Sequence, residues 1–366
     1  MGMLHLMVFW LLGTALGASF SWGVPLNVNF QTRVQRECSF TRYPSLCQNT
    51  LMELKDHPLH IISALVNKTI SETNLPSTYF QTLSSQLEIQ DAQLAKSSTG
   101  VYKEKIRTNK DGITLIGDGK YSTIIAGDDS VAGGSSMPDS ATFTITGDGF
   151  IARDIGFQNT AGPGGKQALA LYIASDHSAL YRCSIAGYQD TLYALALRQF
   201  YRECDIHGTV DFIFGNAAAV FQNCYLVLRR PHGGAYNVIL AHGRTDPGQS
   251  TGFSIQNCRI AASSDFSPIK HSFNSYLGRP WKQYSRSVVM ESSIDDAISS
   301  RGWVEWPGAG SYAKTLYFAE FSNTGPGAGT SRRVNWPGFH VIGVEEAVKF
   351  TVGNFIAGTS WLPSTE

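Results

Sequence analysis

Four segments of this chain share one pattern: an aromatic or aliphatic residue, a polar pair, a cysteine, one further residue and an aliphatic. They are Leu180-Tyr-Arg-Cys183-Ser-Ile185, Phe200-Tyr-Arg-Glu-Cys204-Asp-Ile206, Val220-Phe-Gln-Asn-Cys224-Tyr-Leu226 and Ser254-Ile-Gln-Asn-Cys258-Arg-Ile260, with cysteines 21, 20 and 34 residues apart. A chain that repeats on this interval, with one longer excursion around Arg229–Ser250, winds one coil per repeat and stacks equivalent positions in parallel strands. A leucine-rich repeat has a similar period but requires a ladder of Leu and Asn that is missing here. A parallel β-helix is the better reading. The run-up supports it: from Ser97-Ser-Thr-Gly100 onward, short β-rich stretches such as Gly112-Ile-Thr-Leu-Ile-Gly117 and Ser122-Thr-Ile-Ile-Ala-Gly127 alternate with Gly, Asn and Asp turns. With 36 Gly and only 16% charged residues, the composition is turn-rich and folded, and fits helical bundles and coiled coils badly.

In such a solenoid, residues one coil apart lie about 4.7–4.9 Å from each other across a sheet. Chemistry can therefore be read from the period. Gln167 and Gln189 are 22 residues apart, and Asp190 and Asp211 are 21 apart, so two amides and two carboxylates fall on neighbouring coils. Any one of them alone would serve as an ordinary turn residue satisfying the backbone. Together they form a cluster. Two adjacent carboxylates in a partly desolvated site cannot both ionise comfortably, so one rises in pKa while a cation holds the other down. Arg279 in Leu277-Gly-Arg-Pro-Trp281 is the nearest candidate cation, and Trp281 offers a flat face for a sugar ring.

Other motifs carry less. Gly248-Gln-Ser-Thr-Gly252 matches the nucleophile elbow of serine esterases by letter, but Phe253-Ser-Ile-Gln after it reads as a strand where an elbow needs a helix. His57 and His60 are three apart without a cluster to complete a metal site, and Gly117-Asp-Gly-Lys120 lacks phosphate-loop spacing. No metal and no cofactor is expected. Lys+Arg and Asp+Glu both number 29, so nothing draws a polyanion to this chain and nucleic acid is excluded as a partner.

Residues 4–17 form an apolar run followed by small residues, which predicts a secretory signal peptide over 1–18 and an extracellular protein with no membrane association after its removal. Asn67-Lys68-Thr69 is a glycosylation acceptor. Between Cys38 and about Ala95 the spacing reads helical, with Ile62, Leu65, Val66 and Ile70 in one set and Phe80, Leu83, Leu87 and Leu94 in another.

Gly100-Val-Tyr-Lys-Glu104, Gln167-Ala-Leu-Ala-Leu171, Gly187-Tyr-Gln-Asp-Thr-Leu-Tyr193, Gly208-Thr-Val-Asp-Phe-Ile-Phe-Gly-Asn216 and Leu277-Gly-Arg-Pro-Trp281 resemble, in order, the signature segments of plant pectin methylesterases. The resemblance runs from Gly100 to Pro363 and takes in Gly302-Trp-Val-Glu-Trp306, Asn323-Thr-Gly-Pro-Gly-Ala328 and Trp336-Pro-Gly338. It implies an all-β fold, a right-handed parallel β-helix that removes methyl esters from homogalacturonan without a metal. It assigns Asp211 as nucleophile, Asp190 as acid and then base, and Gln189 and Gln167 as oxyanion donors. Arg279 would pair with Asp211, while Trp281, Tyr193 and Phe214 would bind sugar. Met137 stands where the family usually has a substrate-contacting threonine.

The resemblance further implies domains at 1–18 (signal peptide), 19–96 (a partial helical, inhibitor-like pro-region) and 97–366 (the catalytic β-helix with its first coil missing), as an internal deletion would leave them. Expected partners are pectin and a proteinaceous inhibitor, with the chain a monomer in the cell wall. Cys38 with Cys47 and Cys224 with Cys258 are candidate disulfides, with Cys183 and Cys204 in the same ladder as competitors. Two other readings stand beside this one: an inactive or regulatory truncated form, and a pectin glycosidase, whose inverting carboxylates stand roughly 6.5–9.5 Å apart.

Overall fold

Short strands separated by sharp corners dominate the computed structural model, which describes residues 93–308 and 312–362. Seven successive coils each give one strand to each of three parallel sheets, and the later turns extend two of them, to ten, eight and seven strands in all. Pairing is in register along the stack: Phe200 faces Val220 in the ten-stranded sheet, Ile185 faces Ile206 in the eight-stranded sheet, and Leu192 faces Ile213 in the seven-stranded sheet. The architecture is a parallel β-helix.

The cysteine motif marks one corner of this coil. A strand of the ten-stranded sheet, such as Arg198–Arg202, ends on a residue with left-handed backbone, and a buried cysteine follows before the next sheet begins. Arg182, Glu203, Asn223 and Asn257 occupy that corner with φ between 51° and 56°. Left-handed backbone costs a non-glycine residue about 1 kcal/mol. Here it is offset by a main-chain bond to the next coil, as from Glu203 N to Gln222 O at 3.1 Å and from Asn223 N to Gln256 O at 3.1 Å. The 34-residue cysteine spacing arises because that coil carries two loops, one on each side of strand Asn237–His242.

The expected Cys224–Cys258 disulfide is not formed. Cys183, Cys204, Cys224 and Cys258 are all free and buried. Three of them turn to the main chain of the preceding coil, with Cys204 Sγ 3.5 Å from Leu180 O, Cys224 Sγ 3.4 Å from Tyr201 O and Cys258 Sγ 3.3 Å from Phe221 O. Cys38 and Cys47 lie outside the described residues.

One stretch also differs from the helical expectation. Gln93–Lys96, at the end of the segment expected to be helical, form a strand that pairs with Ile113–Ile116. With Gly100–Lys103 and Ile106–Thr108 they complete an opening coil of three strands, one per sheet. The pairing explains the change: the edge of Ile113–Ile116 supplies main-chain bonds that local spacing in the sequence does not reveal. The chain divides into compact units at Asp91 and Ala92, and every described residue belongs to the second.

Inward-facing side chains fill the coil in stacks. Tyr201 and Phe221 lie face to face at 4.5 Å, while Phe143 contacts both Phe150 and Phe157. Helical turns Val344–Ala347 and Val352–Phe355 cover the outside of the ten-stranded sheet, where Phe350 packs with Val288 and Ile356 with Val220. Near that end Arg333 and Glu320 form a buried pair at 2.7 and 3.0 Å. Glu320 also accepts from Trp303 Nε1 at 3.1 Å, and Arg333 donates to Gly327 O at 2.7 Å. Removing one member of such a pair leaves an uncompensated buried charge. Arg333→Ala is expected to lower unfolding free energy by about 3–5 kcal/mol. In urea melts, the Arg333→Ala, Glu320→Ala double variant should lose less than the two single losses combined.

Candidate active site

The connections from the eight-stranded to the seven-stranded sheet bring the predicted polar residues together. Gln167 and Gln189 form a parallel bridge one coil apart. Asp190 N donates to Val210 O at 2.9 Å, which sets Asp190 in the coil beside Asp211. Both aspartates have left-handed backbone, with φ of 60° and 50°, because each sits at a corner where the chain turns into strand Leu192–Ala196 or Ile213–Gly215. Arg279 reaches them from strand Ser275–Pro280, two coils further on.

The geometry is that of a buried, clamped carboxylate beside an unclamped one. Arg279 Nε donates to Asp211 Oδ1 at 2.8 Å and Nη2 to Oδ2 at 2.5 Å. Asp190, Asp211 and Arg279 are 8%, 5% and 9% exposed, so water screens little of their interaction. Burial raises the pKa of Asp211 above the usual carboxylate value, and the hydrogen bonds and charge of Arg279 offset only part of that rise, so the cation does not hold this carboxyl down as the residue pattern led one to expect. Asp190 stands well above the usual carboxylate range, through burial first and the charge of Asp211 second, with Arg279 opposing from farther away. Both carboxyls thus keep their protons more readily than a free one, Asp190 the more strongly, and Asp211 is the one whose ionised form Arg279 stabilises directly. The half-buried amides of Gln167 and Gln189 have no side-chain hydrogen bond among the described residues, which leaves their N–H groups available to an incoming oxygen.

Beside this cluster an aromatic ladder crosses the outer face of the seven-stranded sheet. Tyr193 and Phe214 stack at 4.3 Å and 9°, and Trp281 meets Phe214 edge-on at 5.9 Å. Trp281 lies so close to Gly243 that a Cβ there would come within 2.7 Å of the indole, so this glycine keeps the ring's place open. Met137 packs against the same group at the head of the turn Pro138–Ser140.

Three residues of the site were not anticipated. Tyr172 extends the ladder, with its ring 5.0 Å from Tyr193 and in register with it one coil earlier. The 21-residue period contains the signal that would have found it. Tyr236 and Trp306 both touch Arg279, but they lie outside the repeat, where no periodic signal exists. Gly248–Gly252 leads into strand Gly252–Gln256 rather than a helix, and no elbow is formed. Among the described residues no three His, Cys, Asp or Glu side chains gather as a metal site, and no helix is long and apolar enough to cross a membrane. His57 and His60 lie outside the described residues.

Comparison with known proteins identifies the family. The Pectinesterase family pattern matches residues 80–359. A probable pectinesterase/pectinesterase inhibitor 54 of Arabidopsis thaliana is 63% identical over 262 residues, covering 71% of this chain and 50% of that one. Pectinesterase 2 of Citrus sinensis is 55% identical over 268 residues, covering 73% and 52%. The chain spans about half the length of the curated relatives it matches. Among solved structures, pectin methylesterase from carrot superposes with a TM-score of 0.75 at 49% identity, covering 77% of this chain and 89% of that one. The Aspergillus niger pectin methylesterase gives 0.68 at 28%, covering 80% and 94%. With the family pattern spanning most of the chain and the same β-helix in a close relative, this protein belongs to the pectinesterase family.

Proposed function

We propose that this chain hydrolyses the methyl esters of homogalacturonan, releasing methanol and leaving pectin carboxylates. The observation that carries this reading is the buried Asp211 carboxylate, clamped by Arg279, beside the proton-retaining Asp190. Asp211 attacks the C6 carbonyl carbon, and the carbonyl electrons move onto oxygen where the amides of Gln189 and Gln167 donate. As the tetrahedral intermediate collapses, the bond to methoxide breaks and Asp190 gives that oxygen its proton. An anhydride now joins Asp211 to the sugar. Asp190, ionised, takes a proton from water; the hydroxide adds to the sugar acyl carbon, and the bond to Asp211 breaks. The sugar leaves as the free acid and Asp211 as carboxylate. Trp281, Tyr193, Phe214 and Met137 would hold the sugar rings, and Tyr172 lengthens the platform.

The reading includes a secreted, monomeric protein acting in the cell wall. The apolar run over residues 4–17 supports a leader over 1–18, with a partial pro-region over 19–96 after it. Relatives whose names join pectinesterase with pectinesterase inhibitor support an inhibitor protein as partner, besides pectin itself.

The deciding assay is methanol release from highly methylated pectin, run beside reducing-end formation. Methanol without new reducing ends supports esterase chemistry, and the reverse overturns it in favour of glycosidic cleavage. Asp190→Asn, which replaces a group already favouring its neutral form by a near-isostere, is expected to keep the melting temperature while abolishing methanol release. Gln189→Ala removes one oxyanion donor and should lower kcat about 10²–10³-fold.

The pKa directions also set the pH profile. Asp211 must be ionised to attack, so activity falls as pH drops through its titration. Asp190 must be protonated to release methanol, so activity falls as pH rises through its own. The profile of kcat/KM should be bell-shaped, with both limbs belonging to the coupled pair rather than to single residues. A pH-independent rate across the acid and neutral range would contradict this assignment.

A further inference from the structure

Arg279 is held by more than its carboxylate partner. While Nε and Nη2 face Asp211, Nη1 donates to Tyr236 Oη at 2.9 Å. The ring of Trp306 lies 4.2 Å from Cζ, against the guanidinium. Tyr236 is in turn set by Tyr276, whose ring meets it edge-on at 5.8 Å and 85°. Tyr236 ends the loop before strand Asn237–His242, and Trp306 follows the buried Trp303, so two separate loops converge on one guanidinium.

We infer that Tyr236 is a positioning residue for the reaction centre: by accepting from Nη1 while Trp306 supports the guanidinium, it fixes the fork so that Nε and Nη2 stay aligned on the two oxygens of Asp211. The kinetic part of the inference rests on the ester-hydrolysis reading, and the positioning part does not.

The physical need is specific. A bidentate Arg–carboxylate pair requires the guanidinium and carboxylate to share a plane, and the long arginine side chain does not enforce that plane alone. A third carboxylate on Nη1 would also fix it, but would add negative charge beside Asp190 and Asp211. Tyr236 supplies an acceptor that is neutral, and an aromatic ring supports the cation without competing for its N–H groups. The ionisable groups facing Arg279 are Asp211, Tyr236 and Asp190. Behind Tyr236 stands Tyr276, with Arg301 and Glu305 nearby and paired with each other at 2.6 Å. Among the described residues no other cation acts on Asp211, so the alignment of Arg279 governs how readily it ionises. The same clamp bears on turnover. Each cycle creates a new sugar carboxyl group within this site, and a guanidinium free to rotate would pair with it once it ionises and delay its release.

The test compares Tyr236→Phe, Trp306→Leu and Trp306→Phe with the wild-type chain. In carboxyl carbon-13 NMR titrations, the Asp211 midpoint is expected to move to higher pH in Tyr236→Phe and Trp306→Leu, and to return toward wild type in Trp306→Phe. In methanol-release assays, Tyr236→Phe should lower kcat by roughly ten- to a hundredfold, the scale of one hydrogen bond to a charged group, with KM little changed. The acid limb of its pH profile should move in the same direction as the NMR midpoint. A role limited to packing would lower the melting temperature and leave both the titration and the limb in place. That result in folded Tyr236→Phe overturns the inference. Should wild type release no methanol, the ester-hydrolysis reading fails, while the Asp211 titration still decides the positioning role.

Discussion

Everything in this protein depends on one coil hydrogen-bonding to the next in register. Parallel main-chain bonds repeat along three sheets, so a residue's neighbours are set by the period as much as by the chain. This constraint brings Phe221 over Tyr201, keeps a cysteine over a cysteine, and carries left-handed corners from coil to coil. It also explains how backbone strain is tolerated at the corners. The local cost at each is offset by a bond to the neighbouring coil that a relaxed backbone could not reach.

The site is built by the same device used for a different end. Corners that elsewhere carry Arg182 or Asn223 carry, at the edge of the seven-stranded sheet, Asp190 and Asp211. Stacking forces two carboxylates to be neighbours, and burial makes their repulsion matter. Arg279 resolves the conflict on one side only, through two hydrogen bonds to Asp211. The asymmetry between the two carboxyls thus follows from which of them Arg279 can reach with its hydrogen bonds. Glu320 and Arg333, equally buried, illustrate the structural use of such a pair, since Trp303 and the Gly327 carbonyl complete their bonding and leave nothing open to a substrate.

Much of this was legible in the residues because a solenoid converts sequence distance into spatial distance. The 21- and 22-residue intervals were enough to gather Gln167, Gln189, Asp190 and Asp211, and the same period would have placed Tyr172 beside Tyr193. Leu94 shows the opposite case. Its spacing with Phe80, Leu83 and Leu87 favours a helix, yet its segment is a strand because Ile113–Ile116 offer an edge to pair with. Local periodicity carries no information about that edge. The cysteines show a third case, where adjacency was read correctly but did not lead to a bond between Cys224 and Cys258, since each thiol faces a main-chain carbonyl of the coil before it.

The sequence by itself determined the coil, its period, its corner residues and the cluster of amides and carboxylates, because all of these repeat along the chain. Only the tertiary structure decided what surrounds Arg279. Tyr236 and Trp306 come from loops that break the period, and no interval in the sequence relates them to one another or to the arginine they contact. Their meeting depends on how far each loop folds back over the seven-stranded sheet, and that is settled by packing against neighbours such as Tyr276 rather than by any repeating bond.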